Sequence, residues 1–385
     1  MLSTLVIIAS ACLVRATGLN LIKTTLSDPG TWVTDAEKQA YIANGTHIID
    51  ITDITDPEVL HILSTSSDDQ LSSSNLTRRA ITYPTTVSHR AEADPLMAKV
   101  TIDKPKAWML TMTEMFNRHH MHPENAPASA SWMFSTVKAV AAPNPAIRVT
   151  QFAHTKFNQP TVIVQIPGKK SDLVIVGAHY DSRGADVNDR GPGAVDNASG
   201  VSCLLEALSH LAESKFAPQA TLEFHFYGGE EGGFLGAKDV FAKYKADGKT
   251  VLGFVNQDMA AYSPSGKISI YTDYVDASWT AYVRVVATAY TGETTASRCD
   301  EPCGDHVPAR SNGFRKYLPV FREKKKREEK KKRERKRLTE IAAAYVCDEK
   351  INTPANLFIH TPNDASLPSL THWSGYVSNA SGTDI

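Results

Sequence analysis

The sequence predicts an α/β fold in which a mostly parallel, mixed central sheet carries helices on both faces. Apolar runs of strand length alternate along the chain with segments whose apolar residues recur at helical spacing, and this alternation is typical of such sheets. The chain has 385 residues, of which 42% are hydrophobic and 22% are charged. This is the composition of an ordinary globular protein, so a sizeable core is expected.

Short apolar runs that contain β-branched and aromatic residues are predicted to be strands. They are residues 161–166, 173–178, 221–227, 251–256, 267–271 and 343–347. Helical spacing of apolar residues predicts three helices between them. These helices cover residues 199–214, 234–245 and 279–290.

The first 79 residues are predicted to be a precursor region. Residues 1–18 contain a nearly apolar run that begins at residue 2 and is too short to span a bilayer, which favours a signal peptide over a buried helix. Residues 19–79 are polar and end in the dibasic pair Arg78-Arg79, which favours a propeptide over an N-terminal subdomain. The main domain would then span residues 80–385.

Secretion also bears on the cysteines and on glycosylation. Cys299 and Cys303 are close enough in the sequence to pair in an oxidising compartment. Cys203 and Cys347 lie in apolar patterns and are expected to be free, buried thiols. Glycosylation triplets occur at Asn44, Asn75 and Asn379. We therefore expect an extracellular, disulfide-bonded glycoprotein.

A basic block hides the acidic character of the rest of the chain. Residues 322–337 contain twelve Lys or Arg and four Glu, a net charge of +8. Because the whole chain carries −1, the other residues carry −9, the difference between these two values. An acidic remainder argues against a nucleic-acid partner. We expect no nucleic-acid partner, no membrane partner and a monomeric protein.

Residue types that bind metals recur where predicted strands end, which is where ligands gather in sheets of this kind. Each residue alone is a weak signal, because acidic pairs are usually solvated and a lone histidine is usually structural. The ordered set is much stronger, and it predicts a two-zinc site with five ligands and one general base. The set comprises His179, Asp196, Glu230, Glu231, Asp258 and His360.

Five motifs carry a resemblance to a known family. They are VGAHYDS, GAVDNASG, YGGEEGGFLGAK, NQDMAAY and IHTPND. From about residue 80 to residue 364, apart from one block, the chain resembles the secreted co-catalytic dizinc aminopeptidases, especially fungal leucine aminopeptidases, and is similar to bacterial secreted leucyl aminopeptidases. The resemblance implies a zinc-dependent exopeptidase fold, and a precursor with a signal and a propeptide.

The resemblance also implies a role for each site residue. His179 and Asp258 would hold one Zn²⁺ ion, and Asp196 would bridge it to a second. Glu231 and His360 would complete the second site. Glu230 would be the general base in the hydrolysis of the N-terminal peptide bond.

Two further assignments complete the expected site. Asp181, two residues after His179, would orient that imidazole. An apolar side-chain pocket would favour Leu-like N-terminal residues of peptide or protein substrates, with Met259, Phe358, Ile359 and the Cys299–Cys303 loop as its walls. The alternative is that some of these apolar residues belong to the core. Within that loop Glu301 stands where the family commonly has a tyrosine, so substrate binding is expected to differ.

Three histidine-containing segments are not expected to bind metal. The segment 118–122 contains three histidines but no strand end, and it is predicted to lie on the surface. His210 and His225 lie in helical and strand patterns and are predicted to be structural.

Other functions remain as alternatives. A carboxypeptidase or a glutaminyl cyclase of the same fold would use a similar site. Residues 315–342, which contain the basic block, also interrupt the family resemblance. They would be a solvated helix, a disordered segment, a polyanion-binding arm or a translated intron, and the intron is the interpretation favoured here. The insertion could also make the product inactive.

The intron interpretation predicts a transcript that lacks the codons for residues 315–342, because the resemblance is nearly seamless on both sides of them. Sequencing the transcript is the measurement. A message that encodes the block would exclude this interpretation.

Overall fold

The computed structural model of the protein describes most of the chain before residue 315. The described residues are 19–52 apart from 26, 45 and 47, residue 60, residues 83–314 apart from 185, 186, 264, 273 and 299–302, and residues 320–321. The predictions for residues 1–18, Arg78-Arg79, the strand 343–347 and His360 lie outside the described residues. The same is true of Cys299, Glu301, Cys347, Phe358 and Ile359.

Among the described residues, six strands form a mixed sheet at the centre of the protein, in the order β11-β8-β6-β7-β5-β4. β11, β8, β6 and β7 pair in parallel, whereas β7, β5 and β4 pair antiparallel. These strands are β4 (Arg148–Phe152), β5 (Thr161–Ile166), β6 (Lys170–His179), β7 (Ala220–Tyr227), β8 (Val251–Gln257) and β11 (Val320–Phe321). The predicted fold class is confirmed, and two residues of the predicted insertion form the edge strand β11.

Two smaller sheets of described residues flank the central one. The first contains β1 (Asn20–Lys23), β2 (Thr31–Val33) and β3 (Ile49–Asp50), all antiparallel. The second contains the parallel strands β9 (Ile268–Tyr271) and β10 (Thr294–Ser297).

Eight helices connect or cover the described strands. They are α1 (Asp35–Ala43), α2 (Arg90–Met97), α3 (Asp103–Glu114), α4 (Asn125–Ala141), α5 (Gly200–Glu213), α6 (Leu235–Ala246), α7 (Ala277–Thr291) and α8 (His306–Ser311). The three helices predicted from spacing correspond to α5, α6 and α7. Helical spacing did not predict α2, α3 and α4, because polar residues interrupt their apolar ones.

The central sheet is buried on both faces, as parallel strands require. Along β5, Val162 and Val164 face a core formed with α3, α4 and α5, while Ile163 faces a second core formed with α6 and α8. Adjacent residues of a strand point to opposite faces, so one short apolar run supplies both cores. This two-sided burial fixes the strand ends that carry the site.

The N-terminal sheet is folded against the main domain. Leu21, Ile49 and Ile51 form an apolar cluster with Phe234 and Val307. The described residues between 19 and 52 thus pack on the central part of the protein, and their assignment as part of a propeptide stays a prediction. Among the described residues, none of the helices combines the length and apolar character that crossing a bilayer demands.

A buried ion pair strengthens this contact. Asp50 Oδ2 accepts a hydrogen bond from Lys38 Nζ at 3.0 Å, and the main-chain oxygen of Asp50 accepts one from Lys238 Nζ at 3.2 Å. Burial alone would raise the pKa of Asp50, but the charges of Lys38 and Lys238 and hydrogen bonds from Thr52 hold the pKa well below its ordinary value. The carboxylate is therefore charged in the folded protein at neutral pH.

Replacing Asp50 with Asn should lower the free energy of unfolding by about 3 kcal/mol at pH 7, because it leaves Lys38 buried without its counter-ion. A lowered pKa stabilises the fold above the unfolded value of about 3.9 and loses that effect as the pH falls towards the folded value. The difference between wild type and variant should therefore be constant above about pH 5 and shrink in acid. Denaturant unfolding at several pH values measures this.

Asp94→Asn is the matched control, because Asp94 pairs with Arg90 on an exposed surface. The control should lose less than about 1 kcal/mol. Equal losses in the two variants would contradict the special weight given to the buried pair.

Candidate metal centre

Three parallel strands bring the predicted ligands to one edge of the sheet. His179 is the last residue of β6, and Asp258 directly follows β8. The register places His179 opposite Tyr227, the last residue of β7, three residues before Glu230. Because the carboxyl ends of parallel strands meet at the same edge, residues far apart in the sequence become neighbours there.

The imidazole of His179 lies at the centre of the site. Its Nε2 atom is 3.0 Å from Asp196 Oδ1 and 3.5 Å from Asp258 Oδ1. Glu230 Oε2 lies 3.9 Å from the same nitrogen. The side chain of His179 is only 1% exposed, and the three carboxylates are at most 12% exposed, so the charges meet in a nearly dry environment.

Asp181 occupies the other side of the His179 ring. Its Oδ1 atom is 3.4 Å from His179 Nδ1. The two carboxylate oxygens also accept hydrogen bonds from the main-chain N–H groups of Glu230 and Glu231, each at 3.1 Å. One buried carboxylate therefore contacts both the imidazole and the turn that carries the two glutamates.

Asp196 lies in an irregular turn, Ala194–Ser199, that leads into α5. The next residue, Asn197, ties this turn to the end of β8. Asn197 Nδ2 donates to the main-chain oxygen of Gln257 at 2.8 Å, and its Oδ1 accepts from the N–H of Met259 at 3.1 Å. Asn197 thus links the turn of Asp196 to the end of β8 beside Asp258. Its position in the motif GAVDNASG did not indicate this role.

Glu231 forms an ion pair at the edge of this cluster. Its Oε2 atom is 3.0 Å from Arg183 Nε, and both side chains are nearly buried. Burial, followed by repulsion from Asp196, raises the pKa of Glu231 to about 8. Its predicted partner in the second metal site, His360, lies outside the described residues.

Burial and neighbouring charges shift the pKa values of the acidic groups and of His179 in this site. Burial raises the pKa of Glu230 well above its ordinary value; the charge of His179 lowers it, and Asp305 and Asp258 raise it further. Burial favours a neutral His179, but the surrounding carboxylates raise its pKa well above the ordinary value. Buried carboxylates in such numbers are expected where they coordinate a cation.

The donor set fits a metal ion. His179, Asp196 and Asp258 each offer one ligand atom, and these atoms lie within 4.8 Å of one another. Within the part of the chain that the structure describes, Asp258 Oδ1 is buried and has no hydrogen-bond partner. Imidazole and carboxylate ligands are those that zinc takes in catalytic sites.

The structure corrects the interpretation of the segment 118–122 as surface. Arg118, His119 and His120 are 1–2% exposed, whereas Met121 is 51% exposed. The rings of His119 and His120 stack with centroids 4.7 Å apart, and His120 Nδ1 lies 3.8 Å from Asp181 Oδ2. The polar residues of this segment led to the prediction of a solvated surface. That prediction was wrong because the groups that bury these side chains are distant in the sequence.

Asp305 was also missed by the sequence analysis. It is fully buried, and neither carboxylate oxygen accepts a hydrogen bond among the described residues. Burial raises the pKa of Asp305 well above its ordinary value, while the charge of His179 lowers it. No strand-end position or quoted motif pointed to this residue.

Predictions were also made for two further histidines, for the cysteines and for Met259. His210 pairs with Glu206 and His225 with Glu223, both buried, so their structural roles are confirmed. Cys203 is a free thiol, as predicted, but its side chain is partly rather than fully buried. Cys303 is disulfide-bonded. Pairing with Cys299 stays a prediction because that residue is not described. Met259 is 1% exposed and packs on Val195, so its place in a pocket wall also stays a prediction.

The fold and the site together define a metal-dependent enzyme built on a mixed α/β sheet. The sequence model of peptidase family M28 matches residues 161–373, a stretch that includes all six residues of the predicted set. The chain belongs to this family.

Fungal relatives support the same conclusion. A probable leucine aminopeptidase of Arthroderma otae is 34% identical over 304 residues, which cover 77% of this chain and 80% of the relative. Leucine aminopeptidase 1 of Arthroderma gypseum is 34% identical over 301 residues, covering 74% and 76%. The predicted enzyme class, a metallo-aminopeptidase, is confirmed by the family and these relatives.

Solved structures confirm the fold. The LapA aminopeptidase of Legionella pneumophila superposes with a TM-score of 0.67 at 20% identity, covering 94% of this chain and 96% of LapA. LapB of the same organism has the same TM-score at 18% identity, covering 96% and 95%. At these identities the likeness concerns the fold.

Proposed function

We propose that this protein is a secreted zinc aminopeptidase that removes the first residue of peptides, with a preference for leucine-like side chains. The observation that carries the proposal is the concentration of carboxylates around His179. An acidic, nearly buried site attracts the ammonium group of a free peptide N-terminus. A site for a C-terminal carboxylate would need an available Lys or Arg side chain, and Arg183, which the described residues place beside the cluster, pairs with Glu231.

The proposed metal ligands follow the geometry of the described residues and the family resemblance. His179 and Asp258 would hold one zinc ion, Asp196 would bridge, and Glu231 with His360 would hold a second. Bound zinc supplies Lewis-acid chemistry, which lowers the pKa of water and polarises a carbonyl oxygen. Orientation of the imidazole falls to Asp181, whose carboxylate faces His179 Nδ1.

Glu230 is the proposed general base. Its side chain lies beside the cluster without belonging to the closest donor group, since it is 3.9 Å from His179 Nε2. A carboxylate whose pKa is raised accepts a proton readily near neutrality, which suits a group that takes a proton from water and passes it to the leaving amine. The main-chain hydrogen bond to Asp181 holds this residue in place.

Leucine preference and secretion rest on separate support. The relatives are named leucine aminopeptidases, and Met259 beside Asp258 is apolar, as a pocket for leucine requires. The predicted signal peptide, the dibasic pair and the glycosylation triplets support secretion of a precursor. Processing of residues 19–79 would then release the mature enzyme.

Leucine arylamide should be hydrolysed by the zinc-loaded protein, whereas N-acetyl-leucine arylamide should not, because acetylation removes the ammonium group that the carboxylates recognise. Alanine arylamide should react more slowly by a factor that corresponds to about 1–3 kcal/mol, the discrimination available to an apolar pocket. Release of the arylamine is the measurement.

C-terminal cleavage of a blocked peptide would instead identify a carboxypeptidase. Ammonia release from an N-terminal glutamine peptide would identify a glutaminyl cyclase. Either result without arylamide hydrolysis would contradict the proposed function.

Glu230→Gln should keep zinc bound but lower kcat by about 10³-fold, because the base is lost while the ligands remain. Asp258→Asn is the matched comparison, since it removes a ligand beside the same imidazole. This second variant should lose zinc affinity as well as turnover, with each tenfold loss in affinity worth about 1.4 kcal/mol. Zinc titration and steady-state kinetics on both variants give the two readouts. Near-normal turnover in Glu230→Gln would refute its assignment as the base.

A further inference from the structure

We propose that Arg118 is a positioning residue that sets the separation between His179 and Asp196, two of the proposed metal ligands. The inference rests on the proposed metal site. It concerns how that site is held in shape, and it extends to a segment with no metal ligand and no predicted role. We call residues 117–120 the bracing segment.

The guanidinium of Arg118 binds both ligand-bearing loops at once. Its Nε donates to the main-chain oxygen of Tyr180 at 2.8 Å, directly after His179. Its Nη2 donates to the main-chain oxygen of Gly193 at 2.9 Å, three residues before Asp196. A single planar group therefore joins the end of β6 to the turn that carries the next ligand.

Two further bonds fix the guanidinium itself. Nη1 donates to the main-chain oxygens of Pro192 at 2.5 Å and of Met112 at 2.8 Å. Because the five N–H donors of arginine lie in one rigid plane, these acceptors define its orientation. The bonds to Tyr180 and Gly193 then have fixed directions.

Gly193 lies in a crowded part of the turn. A Cβ atom at this position would lie 2.4 Å from the main-chain oxygen of Asp196, 2.5 Å from Ser182 Cβ and 2.7 Å from Arg118 Nη2. The residue also has φ +53°, in the left-handed region that favours glycine. The turn before Asp196 therefore packs closely against itself, against Ser182 and against the guanidinium.

The rest of the bracing segment holds the loop between the two ligands. Asn117 Nδ2 donates to the main-chain oxygens of Val187 and Asp189, at 3.0 and 2.7 Å. The N–H of Arg118 donates to Ser182 Oγ at 3.1 Å, and that hydroxyl donates to the main-chain oxygen of Gly191 at 2.7 Å. These contacts, together with those of the guanidinium, fall at several described points of the connection between residue 180 and residue 193.

His120 extends the bracing segment to the third ligand-bearing loop. Its Nδ1 lies 3.8 Å from Asp181 Oδ2, on the carboxylate that also holds the main chain of Glu230 and Glu231. A Cβ at Gly232 would lie 2.7 Å from the His120 ring. The segment therefore touches the loops of His179, of Asp196 and of the glutamate pair.

The placement of these contacts argues for positioning rather than for stability alone. Most acceptors of the guanidinium belong to the ligand loops, and only Met112 lies in a core helix, α3. Groups that orient metal ligands typically change metal affinity 10–100-fold when they are removed. A residue that only stabilised the core would leave the affinity of the folded protein unchanged.

The test uses the full-length chain with the substitution Arg118→Lys. Lysine keeps the charge and the stem, but its single ammonium cannot reach all four carbonyl oxygens. We expect zinc affinity to fall by about tenfold, measured at low temperature by competition with a chromophoric chelator. Circular dichroism and thermal unfolding of the metal-free protein give the folded state and the stability.

Glu206→Gln is the matched control. Glu206 is buried on α5 and accepts hydrogen bonds from the N–H of Thr101 and from His210, away from the ligand loops. This variant should unfold at a lower temperature while zinc affinity stays at the wild-type value. Loss of affinity in proportion to lost stability in both variants would overturn the inference.

A milder variant covers the case in which Arg118→Lys does not fold. Ser182→Ala removes one hydroxyl between the bracing segment and Gly191, and it should weaken zinc binding in the same direction. Wild-type affinity in a folded Arg118→Lys protein, or in Ser182→Ala when the first variant does not fold, would overturn the proposal. Zinc binding without arylamide hydrolysis in the wild type would contradict only the proposed function.

Discussion

The parallel pairing of β6 with β7 and β8 is the constraint on which the rest of the site depends. Parallel strands end at the same edge of a sheet, so residues from three separate parts of the chain meet there. The register is set by two apolar cores, since a shift of one residue would turn every side chain to the opposite face. His179 can therefore occupy only one position relative to the loops that follow β7 and β8.

This convergence has an electrostatic cost, which hydrogen bonds to the main chain partly offset. Carboxylates packed in a nearly dry site repel one another and lose hydration. The structure anchors them through neighbours: Asp181 binds the glutamate turn, Asn197 binds the end of β8, and Arg118 joins the loops of His179 and Asp196. A cation bound among these carboxylates would offset their mutual repulsion.

Predictions from the sequence were correct where the local pattern of apolar and polar residues matches the burial of those residues in the fold. Apolar runs became strands because strands buried on both faces need uninterrupted apolar residues. The segment 118–122 shows the opposite case. Its polar residues indicate a solvated surface by composition, yet Arg118, His119 and His120 are buried. Three of the four carbonyl oxygens that bind the Arg118 guanidinium belong to residues more than 60 positions away in the chain. The sequence did not indicate that Asp305 belongs to the site for the same reason, since only the fold brings its charge close enough to act on Glu230.

The sequence by itself determined the fold class and the peptidase family, and it predicted which histidines and carboxylates form the proposed site, because strand periodicity and strand-end motifs are local properties. The tertiary structure alone decided how those residues are held. It placed Arg118 between two loops, Asn197 against β8, and Asp50 between two lysines beside the glutamate turn. These contacts depend on distances between distant parts of the chain, which are fixed only when the sheet has formed. The spacing of residues along the sequence therefore does not predict them.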